Sequence, residues 1–237
     1  MNIKVKTRIQ LFGAWCSLLY VAALLIGWWL LAGYLPPHPP TADAATIAAI
    51  YQDDAVVIRL GMIFVMFGAA CYIPFTAVIA QQISRIEGGV GVLTLSQLMG
   101  GMGNVFLTFY PAIWWVIASF RPDRPAELIQ LINDAAWLQF VGGLTPFLPI
   151  LVSIAVASLA DDSEQPVFPR WCGYLNLWAF VLFLPTQLIF FFKSGPFAWN
   201  GFLAFWLPLT VFIVWFVVMF MVLRKGILRQ AAEQATG

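Results

Sequence analysis

Residues 55–80 read AVVIRLGMIFVMFGAACYIPFTAVIA, a run whose single charge is Arg59. At about 1.5 Å per residue such a run is roughly 39 Å long as a helix, more than the ~30 Å hydrocarbon core of a bilayer. Lipid offers no partner to backbone N–H and C=O groups. An apolar run of this length therefore folds as a helix, which satisfies its own backbone.

Five further runs have the same character, so the expected spans are 9–35, 55–80, 90–119, 135–160, 171–193 and 197–223. The composition agrees: 62% of residues are hydrophobic and 10% charged, against about 45–50% and about 25% in soluble domains. The fold class is an all-α membrane protein, a six-helix bundle with kinked spans forming a single domain over residues 1–237. The first run follows Lys4, Lys6 and Arg8 as a signal peptide would. It is too long for a signal h-region and reads as a retained span.

Basic residues set the orientation. With the N-terminus in the cytoplasm, Lys4, Lys6, Arg8, Arg85, Arg170, Arg224, Lys225 and Arg229 lie inside, and Arg59, Arg121, Arg124 and Lys193 outside. The inside excess places both termini in the cytoplasm of a plasma (inner) membrane. Two outer segments carry helical patterns. Residues 41–54 place Ile47, Ile50 and Tyr51 on one face, and residues 121–134 do the same for Leu128, Leu131 and Ile132. Both read as short amphipathic helices on the outer surface.

Net charge is +1, so no basic field points to nucleic acid. Cys16, Cys71 and Cys172 form no CxxC pair and His38 is the lone histidine, so neither a metal site nor a cofactor is expected. No acidic residue falls at mid-span, which removes the usual proton relay. No nucleophile–base pattern or phosphate loop is present, and enzymatic activity is not expected.

Proline punctuates five spans, at Pro74, Pro111, Pro146 with Pro149, Pro185 and Pro208. Each removes a backbone donor and frees a carbonyl four residues earlier. Polar side chains gather nearby: Tyr72 and Thr76, Thr108 and Tyr110, Thr145, and Thr186 with Gln187. The pattern fits a ring of kinks about a pocket, with Arg59, Asn104, Tyr110, Gln139 and Gln187 as candidate ligand-binding residues. Arg59 also has the option of snorkelling to headgroups or pairing with Asp53, Asp54 or Asp134. Ser96, Gly100 and Asn104 form a ridge on the third span which Gly101 and Gly103 widen, a surface for close helix packing. Gly61 and Gly68 offer the same on the second.

The expected function is binding or facilitated passage of a small hydrophobic or amphipathic compound. The other reading is a non-catalytic subunit packing in a larger membrane complex through the glycine-rich third span. The expected partners are the lipid bilayer, a hydrophobic small molecule, and a second copy or a membrane-complex subunit.

Overall fold

The computed structural model describes residues 2–236. Eight α-helices are present: α1 (Ile3–Leu24), α2 (Ala44–Asp53), α3 (Ala55–Ile86), α4 (Val92–Phe120), α5 (Ala126–Gly142), α6 (Leu148–Ala160), α7 (Arg170–Phe183) and α8 (Leu207–Thr236). With short π and 3-10 segments they make six apolar helical stretches long enough to cross a membrane: Ile3–Leu31, Ala55–Ile86, Val92–Phe120, Ala126–Ala160, Arg170–Phe190 and Phe202–Gln234. Their lipid-facing sides carry large apolar side chains such as Phe67, Met99, Trp178 and Phe191. This is an all-α six-span bundle.

The spans stand in a ring in chain order. α3 packs between α1 and α4, α4 against α5 and α6, α6 against α7, and α8 closes the ring on α1. Glycine decides how closely the first two spans approach. A Cβ on Gly61 would lie 2.3 Å from the carbonyl oxygen of Gly27, and one on Gly27 would lie 2.2 Å from that of Gly61. The two backbones therefore touch where any other residue would hold them apart. Gly68 meets Ala23 and Tyr20 of α1 in the same seam.

Helix starts are fixed by side chains. Asp43 accepts the Thr46 N–H at 2.8 Å at the head of α2. Glu87 accepts the N–H groups of Leu93 and Thr94 and the Thr94 hydroxyl at the head of α4. These cap donors that no preceding turn can satisfy. Burial pushes the Glu87 carboxyl up, but these hydrogen bonds outweigh it, and its pKa ends below the ordinary value. Gly88, at φ 70°, turns the chain out of α3.

The outer segments differ from the sequence expectation. Residues 126–134 are the first turns of α5, which runs unbroken through Asp134 to Gly142. Ala135 and Ala136 supply no break, and the buried face is Ile129, Asn133, Ala136 and Trp137, while Leu128 and Leu131 are exposed. α2 is a separate short helix, yet it packs on α5 as a cap. Ile47, Ala48 and Tyr51 are buried beneath it. Gln130 Nε2 of α5 donates to the Ala42 carbonyl just before α2, and Gln52 Nε2 near the end of α2 donates to the Pro122 carbonyl, so the cap is held at both ends.

Prolines act unequally. Pro74 and Pro111 sit inside continuous helices. Pro146, Pro185 and Pro208 instead accompany breaks: a 3-10 turn at Thr145–Phe147, a 3-10 run at Leu184–Phe190 and a π turn at Phe202–Trp206. The first span also loosens into a π segment, Leu25–Leu31, without a proline. The broken segments lie toward the α2 end of the bundle.

Candidate functional site

Where spans four, five and six lose α-helical geometry, the bundle does not close. A cavity of about 50 Å³ remains, lined by Leu24, Leu107, Thr108, Phe140, Val141, Leu144, Phe183, Thr186, Ala204, Phe205, Pro208, Leu209 and Phe212. These side chains come from spans one, three, four, five and six. The volume exceeds the ~10–15 Å³ that one water needs.

The break at Pro146 positions one wall. Pro146 has no N–H for the Gly142 carbonyl, and Gln187 Nε2 takes that oxygen instead at 2.9 Å. The same amide lies 3.2 Å from the Thr186 hydroxyl. Fourth and fifth spans are thus tied at the break, with Gly142 so close to Phe190 that a Cβ would clash with the ring.

Aromatic side chains pack above and below the cavity. Toward the α2 end, Phe140 and Phe205 back onto Trp28, Trp115 and Trp137, with ring centroids 5.1–6.3 Å apart. Tyr34 joins this group, 4.9 Å from Trp115. Toward the chain termini, Phe212 packs on Phe147, Tyr20 and Phe216. Asn176 accepts from Trp215 Nε1 at 2.9 Å and locks the fifth span to the sixth below the cavity.

The third span supplies the polar side. Gln97, Asn104 and Thr108 are all buried on one face of α4, in line with Gly101. Gln97 Nε2 donates to the Thr76 hydroxyl at 3.1 Å. Further along, Tyr72 lies within hydrogen-bonding reach of Asn104, and Tyr20 of Thr108. Yet both polar atoms of Asn104, Thr108 Oγ1 and the Tyr20 hydroxyl are buried without a well-formed hydrogen bond. In lipid-buried protein such groups are costly to leave unsatisfied. No Asp, Glu, Lys, Arg or His lines the cavity. Among the described residues no cluster of three His, Cys, Asp or Glu side chains suited to a metal forms.

The candidate ligand residues do not converge on this space. Asn104 is buried one turn from Thr108, and Gln187 sits behind Thr186 on the fifth span. Gln139 is spent on Trp114 Nε1, at 2.9 Å. Tyr110 is 44% exposed and packs with Phe106 and Phe109 on the lipid side. Arg59 is half-buried at the α2 end, its Nε donating to the Ala55 carbonyl one turn back, with no ion pair to a described acidic residue. The nearest lining groups, Thr108 and Thr186, are the hydroxyls beside Pro111 and Pro185. The phenylalanine walls had no sequence signal, because apolar positions in a membrane chain face lipid and bundle alike.

The glycine ridge of the third span is taken up inside the chain. Gly100 lies against Pro146 and Ile150, Gly103 against Pro146, and Gly101 so near Thr76 that a Cβ would overlap its side chain. Ser96 is half-buried on the same ridge.

At the α2 end a second polar network closes the bundle. Tyr51 donates to Asn133 Oδ1 at 2.8 Å, Asn133 Nδ2 lies 3.0 Å from His38 Nε2, and Trp199 Nε1 donates to the His38 carbonyl at 2.8 Å. Burial pushes the His38 imidazole down to about 4. Neutral His38 can accept from Asn133, while the Tyr51 hydroxyl fixes which way that amide points.

Comparison with known protein families, curated proteins and solved structures finds no match to this chain.

Proposed function

We propose that this protein binds a small hydrophobic or amphipathic compound in the cavity between its broken spans, and passes it across or senses it within a plasma membrane. In this reading both termini are cytoplasmic and α2 caps the outer end. The observation that carries it is the placement of the cavity. It touches five of the six spans, and it lies where three of them have given up regular helical hydrogen bonding. A well-packed bundle has no reason to leave both a void and weakened helices at one depth.

The resting space is smaller than a ring compound needs. The 3-10 and π segments are where the backbone has the least to lose by shifting, so they are the natural place for the cavity to widen. The wall offers two threonine hydroxyls and no base or acid, which suits binding and passage better than turnover. It also gives no proton-coupling group.

Thiol labelling tests this. In a chain with Cys16, Cys71 and Cys172 replaced by Ala, Leu144→Cys should react in intact membranes with benzyl methanethiosulfonate, an uncharged ring reagent. Ile154→Cys, fully buried away from the cavity, should stay unmodified. If Leu144→Cys is as inert as Ile154→Cys, no small apolar compound reaches the cavity and the reading fails.

A further inference from the structure

We infer that the compound bound here is uncharged and carries a hydroxyl or carbonyl group, which Thr108 holds while Phe183, Phe205 and Phe212 enclose its ring. This rests on the cavity being the binding site.

Thr108 lines the cavity and its Oγ1 has no partner, although the residue is only 1% exposed. Asn104 follows one turn away on the same face of α4, fully buried, with Nδ2 and Oδ1 both unpartnered. Tyr20 stands one turn from the lining residue Leu24, packs on the lining ring of Phe212, and its hydroxyl is likewise unpartnered. Of these, Thr108 lines the cavity itself, with Thr186 opposite as the other lining hydroxyl, while Tyr20 and Asn104 stand behind Thr108.

Their chemistry selects the guest. Hydroxyl and amide groups donate and accept, so each can serve a hydroxyl or a carbonyl. An ionised carboxylate or ammonium would enter a site with no opposite charge in its lining, and burying it there is prohibitive. A pure hydrocarbon would leave the Thr108 hydroxyl as it is. A neutral phenol, alcohol or ketone occupies the widened space and gives the Thr108 hydroxyl a partner. A site built to pair a polar group discriminates strongly against analogues that lack it.

Fluorine NMR on the protein in lipid nanodiscs separates the cases, using 4-fluorophenol, fluorobenzene and 4-fluorobenzoate at pH 8. We expect a saturable bound resonance for 4-fluorophenol, with affinity about tenfold above that of fluorobenzene, the difference one buried hydrogen bond makes. 4-Fluorobenzoate should show none. Thr108→Val should erase the preference for the phenol while keeping fluorobenzene binding, and Thr108→Ser should restore it. Leu209→Trp, which fills the cavity, should abolish both. Equal affinity for phenol and fluorobenzene, or tighter binding of the benzoate, overturns the inference and leaves the cavity as a binding site. Binding that survives Leu209→Trp, or no saturable binding of any probe, overturns both.

Discussion

Replacing Asn104 by Leu should make the ligand-free protein more stable. The side chain is fully buried, and neither its amide nitrogen nor its oxygen makes a well-formed hydrogen bond, with Tyr72 the polar neighbour beside it. An unsatisfied buried polar group costs about 1–3 kcal/mol. Leucine has the same branching and heavy-atom count as asparagine with somewhat bulkier ends, so the change removes two such groups without opening a void. The unfolded chain in the membrane also finds partners for the amide, which trims the gain. The net expectation is about 2 kcal/mol, roughly thirtyfold in the folding equilibrium constant. Reversible unfolding of the purified protein by SDS in mixed micelles, followed by tryptophan fluorescence, measures it. Asn104→Ala should fall between wild type and Leu, because the relief is offset by an added cavity. A loss of 1 kcal/mol or more in Asn104→Leu would show that the amide is paired and serves as helix glue. The stored instability would then not exist.

The glycine seam makes a sharp contrast: Gly61→Ala should cost about 1–3 kcal/mol or more, because its Cβ would sit 2.3 Å from a backbone oxygen that cannot swing away. Gly226→Ala in α8, whose Cβ meets only the Val167 carbonyl at 3.4 Å, should be neutral or slightly stabilising in the same unfolding assay. Equal effects would refute the backbone contact between spans one and two. Acid should weaken the α2 cap. His38 is held down to about 4 against an ordinary 6.5, so the folded state stays neutral while the unfolded state takes up a proton. Its contribution is fully present above pH 6.5 and is lost as pH falls from 6.5 toward 4, by up to about 3 kcal/mol. His38→Gln should flatten that part of the stability–pH curve, and an unchanged slope would place the sensitivity on the carboxylates.

The spans were legible because lipid solvation imposes one coarse rule, long uncharged runs, and Arg59 was the single charge to explain within residues 55–80. The merger of residues 126–134 into the fourth span was not, since Asp134 resembles a helix cap unless Asn133 is known to be buried against Tyr51 and His38. The breaks were half legible. Proline marked Pro146, Pro185 and Pro208, but it also marked Pro74 and Pro111, where the helix carries on. Which carbonyl is rescued, as Gly142 is by Gln187, depends on a neighbour from another span. Asn104 stood out as a polar residue in an apolar run, whereas Arg59, Gln139 and Tyr110 stood out for the same reason and lie elsewhere. The phenylalanine walls carry no local mark, because only the ring order of the spans decides that Phe183, Phe205 and Phe212 meet.

Everything rests on an open, uncharged space among the broken spans. A density map of the protein purified in lipid nanodiscs, at a resolution that shows side chains, tests it most directly. Non-protein density is expected between Phe183, Phe205 and Phe212, reaching Thr108. Side chains filling that volume, with no non-protein density, would contradict it.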